Sequence, residues 1–147
     1  MKYFTPSEIK YYEKMSPRLL CALDEFREKC NAPVYVSPVE EATWRPIKKG
    51  SLSYHSCIPG RNKQSWAIDI FPTCTPWVAF ISALSVQNIN GIGLYPHWNF
   101  GDLCYGMHID VRTDPRVIWW KGKDKIYRTI HTLENFSQCI GEFGRGR

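Results

Sequence analysis

Gly106-Met107-His108-Ile109-Asp110-Val111-Arg112 alternates from its second residue onward between apolar and polar side chains. Successive side chains of a strand point to opposite faces, so His108, Asp110 and Arg112 project from one face. Met107, Ile109 and Val111 project from the other, toward a core. Three polar groups of different chemistry on one face form either a solvated edge strand or a site. Alternation alone favours the edge strand, because such patterns are common.

Working outward, Trp66-Ala67-Ile68-Asp69-Ile70-Phe71 is a second strand, with Asp69 the one polar residue in an apolar run. A buried carboxylate is costly unless a positive or hydrogen-bonding group meets it. The competing reading is a turn-forming Asp, but Pro72-Thr73 already supplies the turn. Pro33-Val34-Tyr35-Val36-Ser37-Pro38 is a short strand bounded by prolines. Gly91-Ile92-Gly93-Leu94-Tyr95-Pro96 is a glycine-rich one, its glycines read as close backbone packing because no helix follows to make a dinucleotide loop. Val117 to Trp120 and Ile126 to Ile130 complete the strands.

Thr5-Pro6-Ser7-Glu8 reads as a capped helix start, with a short helix running to about Met15. Ser16-Pro17 restarts it, and Leu19, Leu20, Leu23, Phe26 and Cys30 recur at helical spacing. Trp77 to Val86 predicts a helix that is apolar nearly all round and well buried, and Leu133 to Ile140 another. Val39 to Gln64 lacks periodicity and reads as a loop long enough to be functional, carrying Trp44 and His55. His97 to Tyr105 is a second irregular loop.

The 147 residues predict one domain, 1–147, large enough to bury a core. No run of eighteen apolar residues predicts a membrane span, and the first residues lack a signal peptide's apolar segment. Synthesis in the cytoplasm is therefore expected. Six cysteines without C-x-x-C spacing argue against a zinc ribbon or disulfide scaffold. Reduced thiols are expected, Cys21 and Cys30 in a helix and core-facing, with Cys57, Cys74 and Cys104 near the suspected site. A net charge of +5 favours an anionic partner such as a bacterial wall, a membrane surface or nucleic acid. The aromatics are not interleaved with Lys and Arg along one strand, which argues against nucleic acid.

His55, Asp69 and His108 lie on separate strands or strand-adjacent loops and form a plausible three-ligand zinc set. Zinc accepts imidazole nitrogen and carboxylate oxygen, and catalytic sites leave a fourth position open. A cation would also stabilise a buried Asp69.

Ser53-Tyr54-His55, Ala67-Ile68-Asp69-Ile70, Gly91-Ile92-Gly93-Leu94-Tyr95-Pro96 and His108-Ile109-Asp110-Val111-Arg112, with Trp119 downstream, stand in the order found in one family. The ordered set resembles the zinc D-alanyl-D-alanine metallopeptidases. These are peptidoglycan carboxypeptidases, dipeptidases and phage endolysins related in fold to the Hedgehog signalling domain. The resemblance spans roughly Phe4 to Trp120. It implies an α+β fold with a small antiparallel sheet flanked by N-terminal and central helices. It implies Zn2+ on His55, Asp69 and His108, and hydrolysis of a peptide bond in bacterial peptidoglycan. Ser53 matches the serine near the substrate's terminal carboxylate; Arg45 is the best match to the arginine gripping it, with Arg61 its rival. Tyr95 joins the substrate residues.

Two departures stand out. His55 and Asp69 are fourteen residues apart, twice the family spacing, so 57–65 contains an insertion and Gly60 is displaced from the family glycine. The family's general base, two or three residues before the last histidine, meets Gly106 and Tyr105. Asp110 is the first candidate for that base, or alternatively the residue that holds a ligand histidine. Asp102 is second, and Tyr105 is an oxyanion donor at most. Arg112 is expected to be a structural partner. The expectation is a monomeric wall-lytic enzyme of phage type, acting at the cell wall or periplasm or as part of a virion. The alternative is an inactive zinc-binding module of the same fold.

Overall fold

The computed structural model describes residues 1–47, 53–57 and 63–143. Gly60, Arg61 and most of the inserted segment lie outside these. Six strands form one sheet: β1 (Val34–Val36), β2 (Ala67–Pro72), β3 (Gly91–Tyr95), β4 (Gly106–Asp110), β5 (Val117–Lys121) and β6 (Tyr127–Thr129). Their spatial order is β1-β2-β4-β3-β5-β6. Three helices accompany them: α1 (Pro17–Cys30), α2 (Pro76–Ser85) and α3 (Leu133–Phe143). The fold is α+β.

The sheet is mixed, not antiparallel as expected. Every adjacent pair is antiparallel except β3 and β5, which run parallel. The reason is where the chain leaves β4. That strand ends beside the start of β3, with Gly91 opposite Asp110, and Gly91 also stands opposite Val117. The chain passes to the other side of β3 at that same end, so β5 must start where β3 starts.

One face of the sheet is the core. Ile68, Ile109, Ile92 and Ile118 lie in one row across β2, β4, β3 and β5, and Ile70, Met107, Leu94 and Trp120 in the next. All except the partly buried Ile118 are at most 1% exposed. They belong to one cluster with Leu19, Leu23 and Phe26 of α1 and Ala79, Phe80 and Ala83 of α2. Helix α1 starts where expected. The Ser16 hydroxyl accepts from the Leu19 N–H at 3.2 Å and Pro17 occupies the first turn, while Asn31 ends the helix in the left-handed region at φ 48°.

Three local expectations change. The segment before α1 is two short 3-10 turns, Pro6–Glu8 and Tyr12–Lys14, rather than a helix to Met15. The capping pattern is present all the same: the Glu8 carboxylate accepts from the Thr5 N–H at 2.8 Å. Helix α2 is not buried all round, because a helix lying on a sheet hides one stripe only. Trp77, Val78 and Ile81 are 42–50% exposed. Cys21 is exposed whereas Cys30 is buried, and all six cysteines are free thiols.

The opposite face carries the polar row. Asp69 stands opposite His108, His108 opposite Gly93, and Gly93 opposite Trp119. A Cβ on Gly93 would lie 2.8 Å from the Trp119 ring, and one on Gly91 would lie 2.0 Å from the Asp110 carboxylate. The two glycines of β3 are therefore the floor on which Trp119 and Asp110 rest, the close packing expected for them. Trp119 can lean over Gly93 toward His108, with ring centroids 5.2 Å apart.

Overpacking of this kind costs about 1–3 kcal/mol. Gly93→Ala is expected to lower the urea midpoint accordingly. Gly141→Ala, whose added Cβ meets nothing on α3, should be neutral or gain up to about 1 kcal/mol. Parallel urea melts of the two variants check both.

Candidate metal centre

Two of the three expected ligands come from neighbouring strands and the third from the long irregular segment. Asp69 and His108 are cross-strand partners on β2 and β4. His55 is delivered by backbone bonds that stitch its segment to the sheet. The Trp66 N–H donates to the Tyr54 carbonyl at 2.9 Å, and the Arg45 N–H to the His55 carbonyl at 3.2 Å. The Ser65 hydroxyl bridges the Thr43 and Ala67 carbonyls at 2.6 and 3.1 Å. Ser53 turns back on the same segment, its hydroxyl accepting from the His55 N–H at 3.3 Å.

His55 Nε2 lies 3.1 Å from His108 Nδ1, His108 Nδ1 lies 2.9 Å from Asp69 Oδ1, and Asp69 Oδ1 lies 3.5 Å from His55 Nε2. Ligands held about 2.0–2.2 Å from a tetrahedral ion are separated by about 3.3 Å, so this triangle has the size of one coordination face. All three residues are buried. Two imidazole nitrogens and one carboxylate oxygen fit a divalent cation, and this group can hold one. The triangle opens into a cleft of about 700 Å³ that Arg45, Ser53 and Tyr95 also line. Of the substrate residues expected, Arg61 lies outside the described residues and the other three share the cleft.

Asp110 is placed differently from a group that faces water. It is 0% exposed, and its two oxygens take four hydrogen bonds. Oδ1 accepts from the Arg112 N–H at 3.1 Å and from Arg112 Nε at 2.8 Å. Oδ2 accepts from Arg112 Nη2 at 2.5 Å and meets His108 Nε2 at 3.2 Å. An ionised carboxylate has about four acceptor sites, so none remains. Arg112 is the structural partner expected, its guanidinium lying 4.5 Å from the Tyr54 ring centroid and 5.4 Å from that of Trp119.

The other candidate groups lie outside the cleft. Asp102 sits on an exposed turn and lines a separate depression with Cys74 and Cys104, so those two thiols are not at the triangle. The Tyr105 hydroxyl donates to the Cys74 carbonyl at 2.7 Å and lines that depression too. Sequence reasoning missed His97 and Glu41, which line the cleft itself. His97 is held by Glu142 of α3, Nε2 to Oε2 at 2.8 Å. No periodicity in an irregular loop announces a partner so far along the chain.

The electrostatics follow from burial and pairing. Burial alone would push His108 down, but its hydrogen bonds to Asp110 and Asp69 lift it to about 9. Burial outweighs the Asp69 charge at His55 and lowers it. Burial would raise Asp69, yet His55 and His108 hold it well below the usual carboxylate range. Tyr95 is pushed up by burial and by the Asp69 charge, and its ring stacks on Trp98 with centroids 3.8 Å apart.

No protein-family model, no curated protein and no solved structure matches this chain. The reading of the centre therefore stands on its geometry.

At pH 7 the metal-free protein holds His108 as the imidazolium, and a cation entering at Nδ1 displaces a proton. Affinity should thus rise with pH and level off above about 9. Titration calorimetry in buffers of different ionisation enthalpy should read about one proton released per metal at pH 7. His55→Ala, Asp69→Ala and His108→Ala should each abolish stoichiometric metal, measured by elemental analysis after dialysis.

Proposed function

We propose that this chain is a zinc-dependent peptidase acting on the peptide part of bacterial peptidoglycan, a wall-lytic enzyme of phage type. The observation that carries the reading is the buried His55–Asp69–His108 triangle at the base of an open cleft. The ordered motifs that resemble the D-alanyl-D-alanine metallopeptidases support it. Two imidazoles and one carboxylate suit zinc, and His55, Asp69 and His108 would hold it beside the cleft as three protein ligands, the number a catalytic zinc site uses. Zinc at such a site supplies Lewis acidity toward a carbonyl oxygen and lowers the pKa of water to about 7.

The chain's own residues bind and orient. Arg45 lines the cleft with a buried Nε that has no hydrogen-bond partner among the described residues. A substrate carboxylate would satisfy it, which is the chemistry of a peptide's C-terminus. Tyr95 stays a neutral phenol, so its hydroxyl can donate a hydrogen bond near the ligand triangle. With Asp110 saturated and Asp102 elsewhere, Glu41 and His97 are, among the described residues, the remaining cleft residues, ligands apart, able to take a proton from water. Glu41 lies 4.0 Å from Arg45 Nη1, whereas His97 is oriented by a carboxylate, as general bases commonly are.

A second reading, a zinc-binding module without catalysis, is favoured by one observation. The positions two and three residues before His108 hold Gly106, which has no side chain, and Tyr105, which lines the separate depression.

Mass spectrometry of purified peptidoglycan after incubation separates the two. Hydrolysis predicts new peptide termini that vanish with a chelator, return on adding zinc and are absent with Asp69→Ala. His97→Ala should lower kcat by about 10²–10⁴-fold if it takes the proton. A zinc-loaded wild type that releases no fragment from any wall preparation establishes the binding module instead.

A further inference from the structure

We infer that Asp110 and Arg112 form a positioning pair, whose task is to present His108 to the metal through Nδ1. The inference rests on the zinc reading above and concerns how this chain builds that site. His108 uses its two ring nitrogens in opposite directions. Nδ1 faces Asp69 Oδ1 at 2.9 Å and His55 Nε2 at 3.1 Å, while Nε2 faces Asp110 Oδ2 at 3.2 Å. An ionised carboxylate only accepts, so Nε2 keeps its proton against Asp110. Nδ1, which faces the two other ligands, is the nitrogen that gives up its proton to an entering cation and then offers it a lone pair.

Asp110 acts this way only if its carboxylate cannot turn, and the structure holds it in place. Arg112 grips its two oxygens with Nε and Nη2 and adds its own backbone N–H. The planar fork of arginine fixes the carboxylate plane, which the point charge of lysine would not. Behind the carboxylate lies Gly91, where a methyl group would stand 2.0 Å from Oδ2. Arg112 itself packs against the rings of Tyr54 and Trp119. Tyr54 is anchored by its hydroxyl, which donates to Asp114 Oδ2 at 2.6 Å. Tyr54 is also the residue before His55, so the segment that carries one ligand buttresses the arginine that aims another. The i, i+2, i+4 spacing of His108, Asp110 and Arg112 thereby acts as one device: ligand, orienter and clamp.

The test uses the whole chain and reads the metal itself. In the zinc-loaded protein, long-range ¹H–¹⁵N spectra should show His108 with its proton on Nε2 and the metal on Nδ1. Asp110→Ala and Arg112→Gln should weaken zinc by about 10–100-fold in competition with a chromophoric chelator. Arg112→Lys should fall between Arg112→Gln and wild type. Gly91→Ala touches no ligand, yet should shift the visible spectrum of the cobalt-substituted protein in the same sense as Arg112→Gln. Circular dichroism and melting curves restrict the comparison to folded variants.

Zinc on Nε2 of His108 would overturn the inference. So would folded Arg112→Gln and Gly91→Ala proteins with wild-type zinc affinity and cobalt spectrum. Asp110→Asn that loses peptide hydrolysis with zinc affinity and spectrum unchanged would make Asp110 a proton acceptor rather than a positioning residue. A wild type that binds no zinc would overturn the zinc reading and this inference together, whereas failure confined to the variants leaves the zinc reading standing.

Discussion

An ionised carboxylate with no access to water, Asp110, sets the terms for the polar face of this sheet. Removing such a charge from solvent costs several kcal/mol unless donors saturate it. Saturation here requires a fork of two guanidinium nitrogens, a backbone N–H and an imidazole N–H, all converging on a space that β3 leaves open by having no side chain at Gly91. Remove any one and the remaining buried charge is poorly met. The core face, by contrast, follows ordinary apolar packing and would tolerate volume-conserving change.

The charges at the centre balance before any cation arrives. Asp69 and Asp110 are negative; Arg112 and the imidazolium of His108 are positive. His55, held neutral by burial, adds nothing to that sum. The metal-free site is thus a closed ion network, so the same side chains can be buried whether or not a cation is bound.

Much of this was legible in the sequence. Alternation placed His108, Asp110 and Arg112 on one face, and the single carboxylate in an apolar run marked Asp69. Helix α1 was readable because its cap, its first-turn proline and its apolar stripe agree. What was not legible depends on partners distant in the chain. The parallel β3–β5 pair depends on which edge the chain crosses after β4. The exposed stripe of α2 depends on what covers it, and an apolar run reads the same whether one side or both are hidden. Asp110 as an orienting group, left open beside the reading as a base, needed the rotation of one imidazole ring to be visible. His97 gains its partner only when α3 brings Glu142 back to it from 45 residues along the chain.

The glycines of β3 have a consequence for how the molecule comes together. Glycine weakens a strand, since it has more conformational freedom to lose and no side chain to pack. A segment with two in five residues has little tendency to extend unaided, yet β3 lies between β4 and β5, near the middle of the sheet. Its order is borrowed from its neighbours. The hairpin with β4 is local, but the β2–β4 seam that carries Asp69 and His108 closes a loop of nearly forty residues. The polar face therefore depends on a non-local pairing, the kind of contact that forms slowly. The site that this architecture makes room for is thus held together by contacts far apart in the chain.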